Sequence, residues 1–296
     1  MTETTAFAAL SDSVEAAAAA GAAVVAGLEW GGCCRLSGVL WQPGVIVTSE
    51  QSLSRAGSYS AILPGGGHVA ATLAGRDPAT NVAALRIEGG SAAPTRAEPR
   101  AVGGLVLALG SDFTGGTTVR LGAVEVLGPA WQSQRGGQID ALVRIGVRLG
   151  GAAEGGPVLD ARGGLLGMST FGPRREVLVI PSATIGRVLG QLLQQGRVAR
   201  GWLGVGLHPV ALTQEIAARA GVASGLMVVS FADGAPAAGG LLPGDILLEI
   251  DGVSLASPRS MAAALGPETV GKSVTVKLVR GGSVVSVNVT VGARPA

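Results

Sequence analysis

The chain has 296 residues, room for two domains. Its formal charge of +2, from 22 Lys and Arg against 20 Asp and Glu, excludes the strongly basic surface of a nucleic-acid or anionic-membrane binder. Charged residues make up only 14% of the chain and aromatics 3%, while glycines number 49; this is the composition of a turn-rich β protein.

In chain order, residues 8–20 read as a short helix capped near Ser11 or Asp12 and ended by Gly21. The apolar run 16–28 holds thirteen residues, too few for a bilayer, which needs about 20. It is preceded by Glu3, Asp12 and Glu15 and by no Lys or Arg, the wrong sign for a secretory leader. The expectation is therefore a cytoplasmic protein without a membrane span. Cys33 and Cys34 are adjacent, which strains a mutual disulfide and lacks zinc-site spacing. They are expected to be half-buried thiols on a strand.

Twelve short apolar runs follow, divided by Gly, Pro and Ser. VVAGLEW, SGVLW, GVIVTS, YSAIL, HVAATLAG and VAALRI fill 24–87; LVLALG, VRLGAVEVLG, IDALVRI, GPVLD, LLGMST and EVLVIP fill 105–181. Strands at this spacing suit two small β-barrels side by side. Residues 182–195 then switch to helical spacing through Ile185, Val188, Leu189, Leu192 and Leu193, with Ser182 as the expected cap and Gly196 as the stop. After the short linker 196–200 comes a five-strand, two-helix module. Its last two strands alternate apolar and polar residues around Gly281-Gly282, a hairpin signal. The expected divisions are 1–13 as an extension, 14–195 as the first domain, 196–200 as the linker and 201–292 as the second domain.

The order of segments resembles the HtrA/Deg family of trypsin-like serine proteases with a C-terminal PDZ domain. LSGVLWQPGVIVTS (36–49) resembles the strands leading to the family's histidine, and GRDPATNVAALRI (75–87) the segment carrying its aspartate. GGPVLDARGGLLGMST (155–170) is similar to the strands after the serine, and GRVARGWLGVGL (196–207) to the junction with the PDZ domain. The resemblance implies a mainly β chain: a trypsin-like double barrel followed by a PDZ module.

Aligned this way, the three triad positions hold Gln51, Asn81 and Glu154. Acyl transfer by a triad needs a hydroxyl nucleophile, an imidazole base and a carboxylate to orient it. An amide at 51 has no proton affinity near neutral pH. Asn81 carries no charge to steady an imidazolium, and a carboxylate at 154 is a poor nucleophile that repels an oxyanion. No catalytic residue is therefore expected. The two histidines, His68 and His208, fall on strands away from these turns. One carboxylate and two amides make a weak ligand set, so no metal and no cofactor are expected. The Glu154 carboxylate is instead expected to fill the loop's former oxyanion nest as an internal ligand. The alternative is an enzyme of the same family that uses Glu154 or other groups on a different substrate.

In the second domain, Trp202-Leu203-Gly204-Val205 resembles a PDZ carboxylate-binding loop, a nest of backbone N–H groups for a peptide C-terminus. Gly206 and Leu207 continue it into a strand to which a peptide could add, and Met261 and Leu265 are expected to line the groove from a helix. The partners implied are protein C-termini or unfolded polypeptides. The resemblance also implies a homotrimer, or a hetero-oligomer with an active paralogue. The function implied is that of a pseudoprotease acting as a peptide-binding scaffold, a chaperone-like protein or a regulatory subunit.

Overall fold

The computed structural model describes residues 5–32, 34–55, 57–90, 93–255 and 257–294. They divide into two units, 1–133 with 138–197 and 134–137 with 198–296. The chain is mainly β, as the sequence indicates: a trypsin-like double barrel and a PDZ module.

The first unit opens with helix α1 (Ala6–Ala22). Six strands follow: β1 (Val25–Trp30), β2 (Cys34–Gln42), β3 (Val45–Ser49), β4 (Tyr59–Ile62), β5 (His68–Asp77) and β6 (Val82–Ile87). They close into a barrel in the order β1-β2-β3-β6-β5-β4. Every residue of β3 is buried, so the strand reads as one apolar run ending in Thr48-Ser49 rather than as an alternation. Leu28, Leu36, Leu40, Ile46 and Leu85 fill this barrel.

The second barrel uses β7 (Leu105–Ser111), β8 (Thr117–Gly128), β11 (Leu142–Ile145), β12 (Pro157–Asp160), β13 (Leu165–Phe171) and β14 (Val177–Pro181). It closes in the order β11-β14-β13-β12-β7-β8 around Ala108, Val143, Val158, Leu166 and Val179. A small ribbon, β9 (Trp131–Gln132) with β10 (Gln138–Ile139), interrupts it. Helix α2 (Ser182–Gln195) closes the unit and ends at Gly196 in the left-handed conformation, φ 73°.

Four local expectations are corrected. Helix α1 is capped by the Thr5 side chain, which accepts from the Ala8 amide. Ser11 and Asp12 lie inside the helix, and Ser11 donates to Glu15 instead. Gly21 does not stop the helix; it is buried where a Cβ would meet Leu159 Cδ1 at 2.3 Å. Ser182 does not cap α2, because its hydroxyl donates to the Leu165 carbonyl. Cys34 is exposed at the start of β2 rather than half-buried, and Cys33 lies outside the described residues.

The second unit has β15 (Gly201–Trp202), β16 (Val205–Ala211), helix α3 (Gln214–Ala220), β17 (Ser224–Phe231), β18 (Ile246–Ile250) and β19 (Val253–Ser254). Helix α4 (Pro258–Ala264), β20 (Ser273–Arg280), β21 (Ser283–Thr290) and β22 (Gly292–Ala293) complete it. The sheet order is β16-β17-β18-β20-β21, with β19 beside β18. Gly281 and Gly282, at φ 54° and 78°, make the β20–β21 turn that requires two left-handed residues. Strand β16 therefore forms one margin of the sheet.

One ion pair ties the far end of this sheet to the turn before β18. Arg280 donates from Nε to Asp245 Oδ1 at 2.8 Å and from a terminal nitrogen to Oδ2 at 2.7 Å. It also reaches the Gly240 carbonyl, while the Leu242 amide donates to Asp245. Burial raises the Asp245 carboxyl, but the Arg280 and Leu242 hydrogen bonds and the Arg280 charge outweigh it and hold the pKa below the ordinary value. A depressed carboxyl contributes stability that is present above the unfolded-state pKa, about 3.9, and is lost as pH falls through the folded one. Asp245→Asn should thus lower the urea midpoint of the second unit at pH 7. The gap from wild type should narrow as the pH is taken below about 4; a gap independent of pH would contradict this.

Candidate functional site

Glu154 is 2% exposed, and its carboxylate is met by donors from three directions. Oε1 accepts from Ser49 Oγ at 2.8 Å, Gln51 Nε2 at 2.7 Å, Thr170 Oγ1 at 2.8 Å and the Phe171 amide at 3.3 Å. Oε2 accepts from Ser52 Oγ at 2.5 Å. A buried carboxylate is tolerated only when such charge-assisted bonds replace its water.

The turn after β3 supplies Gln51 and Ser52. Arg76 on β5 fixes that turn by donating to the Leu53 and Ser54 carbonyls, at 2.5 and 2.6 Å. Asn81 comes from the turn between β5 and β6. That turn closes on itself: Asp77 accepts from Thr80 Oγ1 at 2.7 Å and from the Ala79 amide at 3.2 Å. Asn81 then sits at φ 58°, a left-handed position that Asn tolerates better than most residues. Its Oδ1 accepts from the Gln51 amide at 2.7 Å, and its Nδ2 donates to Thr170 Oγ1 at 2.7 Å and Ser49 Oγ at 3.1 Å. Gln51 Nε2 also reaches Thr170 Oγ1 and the Phe171 carbonyl, both at 3.0 Å. Gln51, Asn81 and Glu154 are thus brought into one hydrogen-bonded cluster.

The loop around Glu154 departs from the nest expected of it. Residues Gly151–Ala153 form a 3₁₀ turn, in which the Ala153 amide donates to Gly150 O and the Glu154 amide to Gly151 O. Those N–H groups are satisfied within the loop, and the carboxylate turns the other way, into the side-chain cluster. The expectation that it fills an oxyanion nest is corrected accordingly; it is an internal ligand, but of β3, β13 and the residue 50–52 turn. Gly155 makes the tight passage possible. It has φ 84°, and a Cβ there would lie 2.3 Å from Ser37 O and 2.4 Å from Thr48 Oγ1. Ser37 donates its amide to Glu154 O and its hydroxyl to Ala152 O, and so holds the loop against β2.

The sequence singles out three members of this cluster as site positions and gives three more no role. Ser49 and Ser52 lie beside Gln51, where they read as ordinary polar residues. Thr170 is separated from Glu154 by a whole hairpin; the only signal was its place at the end of the run LLGMST. His68 and His208 are exposed, on β5 and β16, and enter no part of the cluster. A carboxylate ringed by donors has the wrong polarity for a cation. Among the described residues no group of three or more His, Cys, Asp and Glu could hold a metal.

In the second unit, a groove of about 200 Å³ is lined by Trp202, Leu203, Gly204, Val205, Leu207, Met261 and Leu265. Seven of the eight residues expected there share its wall. The exception is Gly206, which points the opposite way along β16: a Cβ built on it would lie 2.3 Å from Ser230 Oγ. Leu203, Met261 and Leu265 are also core residues, 2%, 9% and 6% exposed. Met261 stands on α4, whereas Leu265 is the residue that caps its end. Gly204 has φ 74°, and a Cβ there would meet Ala235 Cβ at 2.5 Å, so the loop requires glycine twice over. Among the described residues, neither the Leu203 nor the Gly204 amide has a backbone partner.

Comparison with known proteins agrees with these two units. The trypsin-like peptidase domain family matches residues 36–168, and the PDZ domain family matches 201–291. A probable periplasmic serine endoprotease, DegP-like, of Brucella suis biovar 1 (strain 1330) is 32% identical over 275 residues, covering 87% of this chain and 52% of the relative. The same-named protein of Bartonella henselae is 30% identical over 269 residues, covering 85% and 52%. The chain thus spans about half the length of the curated relatives it matches. Among solved structures, the HtrA-type protease AlgW with a decapeptide superposes with a TM-score of 0.74 at 26% identity, covering 95% of this chain and 98% of the other. The relatives' names also overturn the cytoplasmic expectation, since they point to the periplasm. That expectation rested only on the sign of the charges ahead of residues 16–28. No helix among the described residues is long and apolar enough to cross a membrane.

The cluster makes a stability prediction. Glu154→Ala leaves buried donors with no acceptor and should cost the first unit about 2–4 kcal/mol in urea denaturation. Glu154→Gln keeps the shape and one acceptor and should cost less. Equal stability of wild type and Glu154→Ala would rule out a structural carboxylate.

Proposed function

This chain belongs to the HtrA/Deg family of trypsin-like peptidases with a PDZ domain, and we propose that within it the chain is a pseudoprotease that binds polypeptides rather than cleaving them. The observation that carries the reading is Glu154, a buried carboxylate with both oxygens engaged, at the place where the sequence resemblance implies the nucleophile. A group held this way can neither attack a carbonyl nor leave room for an oxyanion. Gln51 supports the same reading, because its Nε2 is spent on Glu154, Thr170 and Phe171 and an amide takes no proton at neutral pH.

Binding falls to the second unit. Its groove combines an apolar wall, two amides without a backbone partner at Leu203 and Gly204, and a sheet margin at β16. A peptide with a free C-terminus places its carboxylate on the amides, its last side chain among Leu203, Met261 and Leu265, and its backbone along Val205–Leu207. Protein C-termini and unfolded chains are the partners this fits. The chain then serves as a scaffold, a chaperone-like protein or a regulatory subunit, assembled as a homotrimer or with an active paralogue. The spans 14–195 and 201–292, joined by 196–200, are the corresponding domains.

Two measurements test the two halves. Purified protein should leave casein intact and remain unlabelled by a fluorophosphonate, and Glu154→Ser alone should not restore either, since position 51 still lacks a base. Cleavage or labelling by the wild type would refute the pseudoprotease. A peptide ending in an apolar residue should bind through a free carboxylate, and C-terminal amidation or Leu207→Glu should weaken it by about tenfold or more, roughly 1.4 kcal/mol. Equal binding of the amidated peptide would refute the groove.

A further inference from the structure

A second surface, wholly within the first unit, carries charge that no fold requirement explains. Beside the end of β11 lies a depression of about 400 Å³ lined by Glu125, Arg144, Arg148, Arg175 and Glu176. Arg144 spans both glutamates, with Nε 3.3 Å from Glu125 and Nη1 3.1 Å from Glu176. One guanidinium thus offsets one of the two carboxylates, and the lining as a whole sets three arginines against two glutamates, a net charge of +1. Arg148 and Arg175 are left exposed on the rim, with no ion pair among the described residues.

The backbone there is unusual. Arg174 and Arg175 both adopt left-handed conformations, φ 56° and 61°, in the turn that joins β13 to β14. Glycine or asparagine would occupy these positions with less strain, so two consecutive arginines are kept against the preference of the turn. The turn is nevertheless held: the Gly172 amide donates to Glu176 O and the Glu176 amide to Pro173 O. The Arg175 guanidinium rests over the Phe171 ring at 5.4 Å, which presents a pre-oriented planar fork rather than a loose chain. Phe171 is also the residue whose amide donates to Glu154 and whose carbonyl accepts from Gln51. Arg175 thus links the rim of the depression, through Phe171, to the Glu154 cluster.

We infer that this depression is a docking site for an acidic polypeptide segment, with Arg148 and Arg175 receiving its side-chain carboxylates. Planar guanidinium groups match carboxylates in a bidentate fashion, and the volume suits one or two acidic side chains. A nucleic acid fits less well: the chain's net charge is only +2, and a lining with a net charge of +1 is too small a positive surface for a continuous run of phosphates, while it can take a single acidic side chain on Arg148 or Arg175. The site is independent of the groove in the second unit, which reads a C-terminal carboxylate.

The test uses the full chain and a short fluorescent peptide rich in glutamate, C-terminally amidated so that the second unit's groove cannot read it, with a glutamine-rich peptide as its match. Fluorescence anisotropy should show saturable binding of the glutamate peptide, weakened by added salt, and little binding of the glutamine peptide. Arg148→Glu and Arg175→Glu, both exposed and so expected to fold as judged by circular dichroism, should each weaken binding by about fivefold to tenfold. Absent binding, equal binding of the two peptides, or affinity unchanged in both variants would overturn the inference. So would tighter binding of a single-stranded oligonucleotide that the same variants abolish.

Discussion

A carboxylate removed from water must be met by donors, and in the first unit the arrangement of three segments follows from meeting the one at Glu154. The residue 50–52 turn sends in Gln51 and Ser52, the end of β13 sends in Thr170 and the Phe171 amide, and β3 sends in Ser49. Asn81 does not touch the carboxylate but orders the groups that do, holding Gln51 by its amide and Thr170 by its hydroxyl. A working serine site has the opposite character, since it keeps a nucleophile and a pair of N–H groups poised and incompletely satisfied. Here the loop amides close on their own carbonyls in a 3₁₀ turn and the side chains close on each other. The result is a buried polar cluster in the first unit.

Much of this was legible in the sequence, and the reasons differ by element. The twelve runs became the barrel strands because short apolar segments cut by Gly and Pro leave few alternatives. Helix α2 was legible to its last residue because Gly196 is a left-handed stop. Helix α1 was misjudged at both ends: Ser11 and Asp12 can cap, but Thr5 does, and Gly21 serves close packing against Leu159 instead of termination. Local preferences cannot reveal a partner that arrives from elsewhere in the chain. The same limit explains the site. Gln51, Asn81 and Glu154 stand out because they fall where the family resemblance implies a histidine, an aspartate and a serine, whereas Thr170 has no motif to depart from. The direction in which Glu154 points could not be read either, because it depends on the 3₁₀ turn that consumes the loop amides.

The two units hold their polar groups differently. The first has spent its polar groups inward. The second keeps amides and a sheet margin available beside Leu203, Val205 and Leu207, with the Asp245–Arg280 pair bracing the far side of its sheet. Around the depression near β11, exposed arginines and strained backbone occur together.

The account stands on Glu154 and its donors acting as a single network, and a double-mutant cycle measures that directly. Glu154→Ala, Gln51→Ala and the double variant should be compared with wild type by urea denaturation. If the carboxylate is the ligand that organises the cluster, the coupling energy should exceed about 1 kcal/mol. Effects that add to within about 0.3–0.5 kcal/mol would show that the two side chains do not depend on each other, and would contradict it.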